Sequence, residues 1–171
     1  VDEGKLGLVL ELPVDNPLNP IIQSITGTLE YSGLDVSYFE AFPKVTGVVG
    51  TATFSGDRFD LDILRGNLQN IALDHGVVHM TQLDTDREQI AIDLVVRGPL
   101  VTALELVNRK PLGLVGEVGI NPAAVGGEMA ARLGLRFPLR DDVQLSDVRV
   151  SGAANMRGVR MKPGPSGFVV E

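Results

Sequence analysis

Between Val45 and Arg97 aliphatic residues recur at every second position, the period of strands that keep one face dry. Phe59, Leu61 and Ile63 alternate with Asp60 and Asp62. Ile90, Ile92, Leu94 and Val96 are opposed by Ala91, Asp93, Val95 and Arg97. The pattern predicts strands over Val45–Phe54, Arg58–Leu64, Ile71–Gln82 and Glu88–Arg97, with Ser55-Gly56-Asp57, Gly66-Asn67 and Asp84-Thr85-Asp86 as the turns between them. The period then changes. Leu100, Ala103, Leu104 and Val107 stand at helical spacing, opposite Thr102, Glu105 and Asn108. This predicts a short helix over Leu100–Arg109, with Pro99 at its first position and Pro111 preventing its continuation.

The flanks extend the same construction. Leu6, Leu8, Leu10 and Leu12 share one face of a strand over Lys5–Leu12, and Ile25–Tyr31 alternates again. Between them, Pro13, Asn16-Pro17 and Asn19-Pro20 predict an irregular loop. Ser32-Gly33 is expected to turn the chain into a short strand through Leu34, Val36 and Tyr38. Pro111–Val125 reads as a loop, with one helical turn at Ala123-Ala124 after Asn121-Pro122. Strands resume at Glu128–Phe137. Val143 and Leu145, then Val148 and Val150, change parity near Ser146-Asp147 and predict a β-bulge. Met156–Met161 and Phe168–Val170 are further strand candidates. Both ends lie in strand-like sequence, so the 171 residues are expected to be one β-rich domain excised from a longer chain.

Composition narrows the functional classes. Hydrophobic residues make up 44% of the chain but aromatic residues only 5%, with no Trp, so the apolar faces are aliphatic. Carbohydrate binding on aromatic platforms is disfavoured for that reason. The net charge of −7 and scattered Lys and Arg argue against nucleic acid. The absence of cysteine removes disulfides and thiolate metal sites. His75 and His79 are four positions apart, which on a strand spans about 13 Å, too far to share a metal. Asp57, Asp60 and Asp62 alternate with apolar residues and lack the glycine and distant glutamate of a calcium loop, so they read as a solvated strand face. Asp84, Asp86, Asp141 and Asp142 read as turn acids. Gly113–Gly119 has the wrong glycine spacing for a dinucleotide loop, and Gly164–Gly167 is not a nucleophile elbow. The expectation is a protein that is not an enzyme and uses no cofactor and no metal.

The central stretch also resembles a known family. The resemblance is carried by Val45-Thr46-Gly47, Gly50-Thr51-Ala52-Thr53-Phe54-Ser55-Gly56, Phe59-Asp60-Leu61, Gly66-Asn67-Leu68, Ile71-Ala72-Leu73, Gly76-Val77-Val78, Ile90–Val96, Gly98-Pro99-Leu100, Ala103-Leu104 and Lys110-Pro111-Leu112. Val125-Gly126-Gly127, Arg136-Phe137-Pro138-Leu139 and Val148-Arg149-Val150 continue it. Over roughly Val45–Met161 the chain resembles the AsmA-like superfamily, and within it the long YhdP-type proteins. That resemblance implies a periplasmic segment of a protein anchored in the inner membrane of Gram-negative bacteria. It also implies a folded-over β-sheet whose apolar groove carries phospholipid between inner and outer membranes, and it supplies no catalytic residues.

The fold class expected is therefore mainly β: antiparallel amphipathic strands in a folded-over (taco-like) sheet or a sandwich, with one short capping helix near 99–110. The residues alone place the closed sandwich slightly ahead, and the resemblance favours the groove. The lipid-groove candidates are Leu61, Ile63, Ile90, Ile92, Leu94, Val96, Met129, Leu133 and Leu135. Expected partners are phospholipid acyl chains, neighbouring segments of the same chain and envelope proteins, with no nucleic acid. The alternative function is an envelope assembly module that acts through protein contacts at exposed end strands such as Lys5–Leu12 or Phe168–Val170.

Overall fold

A computed structural model describes residues 3–11, 21–38, 42–110 and 120–161. Among these residues eight antiparallel strands form one sheet in chain order. They are β1 (Glu3–Glu11), β2 (Ile21–Val36), β3 (Val45–Phe54), β4 (Arg58–Leu68), β5 (Ile71–Thr81), β6 (Gln89–Pro99), β7 (Val125–Pro138) and β8 (Arg149–Met161). Helix α1 (Leu100–Asn108) lies between β6 and β7. Among the described residues the sheet does not close, since β1 and β8 each pair there on one side only. The mainly β class is what the alternation predicted, realised as one open antiparallel sheet.

Each hairpin follows from local chemistry. Ser55 and Arg58 bracket the Gly56-Asp57 turn, and the Ser55 amide donates to the Arg58 carbonyl at 2.8 Å. Asp84-Thr85-Asp86 lies in the loop between β5 and β6, where the Thr85 amide donates to the Gln82 carbonyl at 3.1 Å. Asn121 caps the short 3-10 turn Pro122–Ala124, its side chain accepting from the Ala123 amide at 3.1 Å.

Five local expectations change. Gly66-Asn67 is part of β4, and the chain turns at Gln69-Asn70, where Gln69 takes a φ of 56°. Ser32-Gly33 does not turn the chain either. It is a register irregularity inside a continuous β2, made possible by Gly33 at φ 66°. Leu145–Asp147 forms a 3-10 turn before β8, in place of the expected bulge. The Asp147 carboxylate fixes that turn by accepting from the Gln144 amide at 3.1 Å and from Arg140 Nη2 at 2.7 Å. Pro99 is the last residue of β6 and the residue before the helix, with an extended ψ of 131°. Finally, Leu106 rather than Val107 is the buried residue in the last turn of α1, because tertiary packing selects among the adjacent apolar residues of its Leu-Glu-Leu-Val run. The predicted segments Pro13–Pro20, 111–119 and Phe168–Val170 lie outside the described residues.

Helix α1 packs on one face of the sheet. Leu100 and Leu106 join Ile71, Leu73, Val96, Val125, Met129 and Ala131 in the larger buried cluster. A second cluster forms around Tyr31, Val48 and Ala52. Glycines let large side chains lie flat between the strands here. Gly50 is directly opposite Tyr31, whose ring covers it and whose hydroxyl donates to the Asp62 carbonyl at 3.3 Å. Gly27 is covered in the same way by the ring of Phe54, its partner on β3. Burial pushes the Tyr31 phenol above its ordinary pKa, and the Asp62 charge adds to the effect.

A Cβ at Gly50 would stand 2.6 Å from the Tyr31 hydroxyl, whereas one at Gly56 would meet open space. Gly50→Ala is expected to lower stability by about 1–3 kcal/mol. Gly56→Ala should change it by under about 0.5 kcal/mol. Thermal unfolding followed by circular dichroism compares the two directly.

Candidate functional site: an open aliphatic face

The strand register assembles the alternating residues into one face. Opposed pairs place Gly27, Leu29 and Tyr31 of β2 beside Phe54, Ala52 and Gly50 of β3, and these beside Phe59, Leu61 and Ile63 of β4. Met80, Val78 and Gly76 of β5 follow, then Ile90, Ile92 and Leu94 of β6, then Phe137, Leu135 and Leu133 of β7. Val150 and Gly152 of β8 complete the row opposite Leu135 and Leu133. At the other end Leu6 and Leu8 of β1 lie opposite Gly27 and Ile25.

The face is not carried by strict alternation along its whole length. Leu64 and Arg65 are exposed in succession on β4, so Ile63 and Gly66 both turn inward. The adjoining strands compensate with irregularities at Gly47 (φ 62°) on β3 and at Asp74-His75 on β5. Three neighbouring strands thus change parity along one line, and the face stays apolar across it.

All nine groove candidates, Leu61, Ile63, Ile90, Ile92, Leu94, Val96, Met129, Leu133 and Leu135, fall on this face, but their surroundings differ. Val96 and Met129 are buried with Leu100 and Leu106 of the helix, and Ile63 and Leu94 pack against the same cluster. Ile90 is also buried. Leu61, Ile92 and Leu135 are half-buried, and Leu133 is 38% exposed. The helix therefore packs over one end of β6 and β7, beside β5, and leaves Leu133 and the aliphatic residues of β1 and β8 exposed. The most exposed aliphatic residues are ones that the alternation in the central strands did not single out. Leu6 is 69% exposed at the β1 end, and Val150 is 64% and Met161 61% exposed at the β8 end. Their signal in the sequence was the same period of two; the missing information was that no described residue packs over the end strands.

The reverse face is ionic. The Asp60 carboxylate accepts from Arg58 Nε and from His79 Nδ1, each at 2.6 Å, and Asp60 and His79 are directly opposed residues of β4 and β5. His75 stands 3.7 Å from Asp62. Arg97 donates to Asp74 at 2.9 Å and Arg136 to Asp93 at 2.7 Å, tying β5 to β6 and β6 to β7. His75, His79, Asp60 and Asp62 thus occupy the ionic strand face, as their spacing predicted, whereas Asp57 lies in the turn before β4. Among the described residues no group of three or more His, Cys, Asp or Glu is placed to hold a metal ion. No helix among them is long and apolar enough to cross a membrane. Compared with models of known protein families, with curated protein sequences and with solved structures, the chain finds no match.

The hydrogen bond from Arg58 holds the Asp60 carboxyl below the usual carboxylate range, with His79 adding to it against the opposing effect of burial. A depressed folded-state pKa stabilises the fold above the ordinary carboxylate value of about 4 and ceases to do so as pH falls through the depressed value. Asp60→Asn should therefore cost under about 1 kcal/mol at pH 7. That difference should begin to shrink below about pH 4 and vanish as the pH falls through the depressed value. Denaturant unfolding of both proteins across that range measures it; a difference that persisted at low pH would assign it to packing.

Proposed function

We propose that the chain is a non-catalytic lipid-carrying module whose uncovered aliphatic face accepts phospholipid acyl chains. The observation behind this reading is the one-sidedness of the sheet: among the described residues an apolar face spans all eight strands, and α1 covers it only over β6 and β7 beside β5. Apolar area left in water costs ~25 cal/mol per Å². An open sheet with exposed leucine, valine and methionine at both ends therefore favours an apolar ligand. An acyl chain fits the aliphatic lining, since each methylene it buries contributes about 0.8 kcal/mol and needs no directional partner. The ionic reverse face would stay in water. The resemblance to the AsmA-like superfamily adds the setting, a periplasmic segment moving phospholipid between the inner and outer membranes. A second reading, an envelope assembly module, is favoured by the edges of β1 and β8, which pair with no other described strand.

Native mass spectrometry of the chain purified from a bacterial host, with lipid extraction alongside, tests the proposal. Phospholipid in stoichiometric amount is expected. Leu133→Asp places a charge at an exposed position of the face and should reduce bound lipid at least several-fold while leaving the circular dichroism spectrum unchanged. Ile92→Asp should do the same, with a larger loss of stability because Ile92 is half-buried. Lipid-free protein that takes up no phospholipid from phosphatidylethanolamine and phosphatidylglycerol vesicles would overturn the reading.

A further inference from the structure

The two edges of the sheet complement each other. Strand β8 is exposed at all of its 13 positions and carries Arg149, Arg157 and Arg160 with no acidic residue, in a chain of net charge −7. None of these arginines forms an ion pair among the described residues, although Arg58, Arg97, Arg136 and Arg140 all do. Strand β1 begins with Glu3 and ends with Glu11. Arg149 and Arg157 are separated by the same eight positions as Glu3 and Glu11.

Direction and face agree with the charges. In a sheet of eight strands, each antiparallel to the next, β1 and β8 run in opposite directions. A second copy in the same orientation thus presents its β1 antiparallel to β8 and continues the meander. The apolar face is carried by even-numbered positions in β1 and, up to Met156, in β8; past the register shift beside Gly158 it passes to odd positions, with Met161 opposite Val125. Val150, Gly152, Ala154 and Met156 lie opposite Leu135, Leu133, Ala131 and Met129 of β7, and Leu6 and Leu8 lie opposite Gly27 and Ile25 of β2. The register that opposes Arg157 to Glu3 and Arg149 to Glu11 therefore keeps the apolar face continuous across the junction, and a slip by one residue would break it. The same register sets Gly152 against Leu8, Ala154 against Leu6 and Met156 against Gly4. Large residues meet small ones at each of these positions.

We propose that β8 of one copy of this chain pairs antiparallel with β1 of a second copy, in the register Arg157 opposite Glu3 and Arg149 opposite Glu11. The junction adds a ladder of main-chain hydrogen bonds and sets two arginines at register positions opposite two glutamates. It joins different surfaces of the two copies, so it leaves a free β1 and a free β8 at the ends and adds further copies instead of closing. The proposal does not depend on the chain carrying lipid.

Sedimentation velocity of the 171-residue chain over a concentration series tests it. The weight-average mass is expected to rise past the dimer without a plateau. Arg149→Glu/Arg157→Glu and Glu3→Arg/Glu11→Arg should each weaken assembly by about tenfold or more when measured alone. An equimolar mixture of the two variants should recover it, because every junction between unlike copies again opposes Arg to Glu. Circular dichroism of each variant checks its folding. A monomer at all concentrations would overturn the proposal. So would assembly that stops at a dimer, that ignores both charge reversals, or that the mixture fails to restore.

Discussion

The structure depends on hydrophobic cover for an open sheet. Main-chain hydrogen bonding joins the eight strands without reference to what lies above them. Among the described residues, only the larger cluster, where Leu100 and Leu106 meet Ile71, Leu73, Val96 and Met129, sets a helix over the sheet. Elsewhere the sheet covers itself locally. Tyr31 lies over Gly50 and Phe54 over Gly27, each ring filling the space that a missing side chain leaves on the neighbouring strand. This device excludes water near β2 and β3 without a helix, and it explains how a chain with few aromatic residues can still hold a small core there.

The two faces divide the work. Ionic contacts between adjacent strands, Asp60 with His79, Asp74 with Arg97 and Asp93 with Arg136, align β4 through β7 on the hydrated side. Exposed pairs of this kind contribute little each to stability. Their larger effect is on register, since a slip by one residue would turn these charges onto the aliphatic face. The lipid-carrying reading and the proposed edge pairing use different parts of this arrangement. The first uses the uncovered parts of the apolar face, and the second uses the main chain of the end strands.

Much of this was legible in the chain. The period of two over Phe59–Ile63 and Ile90–Val96 placed the strands and assigned Leu61, Ile63, Ile92 and Leu94 to a common face. The change of period after Gly98 placed the helix. The errors are equally specific. Gly66-Asn67 has the composition of a turn but sits within β4, because its neighbours Leu73 and Ala72 on β5 continue the ladder past it. Leu64 and Arg65 break the alternation, and no sequence rule shows that Gly47 and Asp74-His75 break it in the adjoining strands along the same line.

The sequence by itself determined that this protein is antiparallel β with one aliphatic and one ionic face, because strand geometry sends successive side chains to opposite sides. It also determined the short helix, since apolar spacing and proline act through local backbone geometry. Tertiary structure decided how the face is shared between buried and open residues. Val96 and Met129 share an alternation with Leu133, yet α1 covers the first two and leaves the third exposed. Which residues a helix covers depends on where the connection from β6 to β7 places it over the sheet, a relation between distant segments that no local period contains.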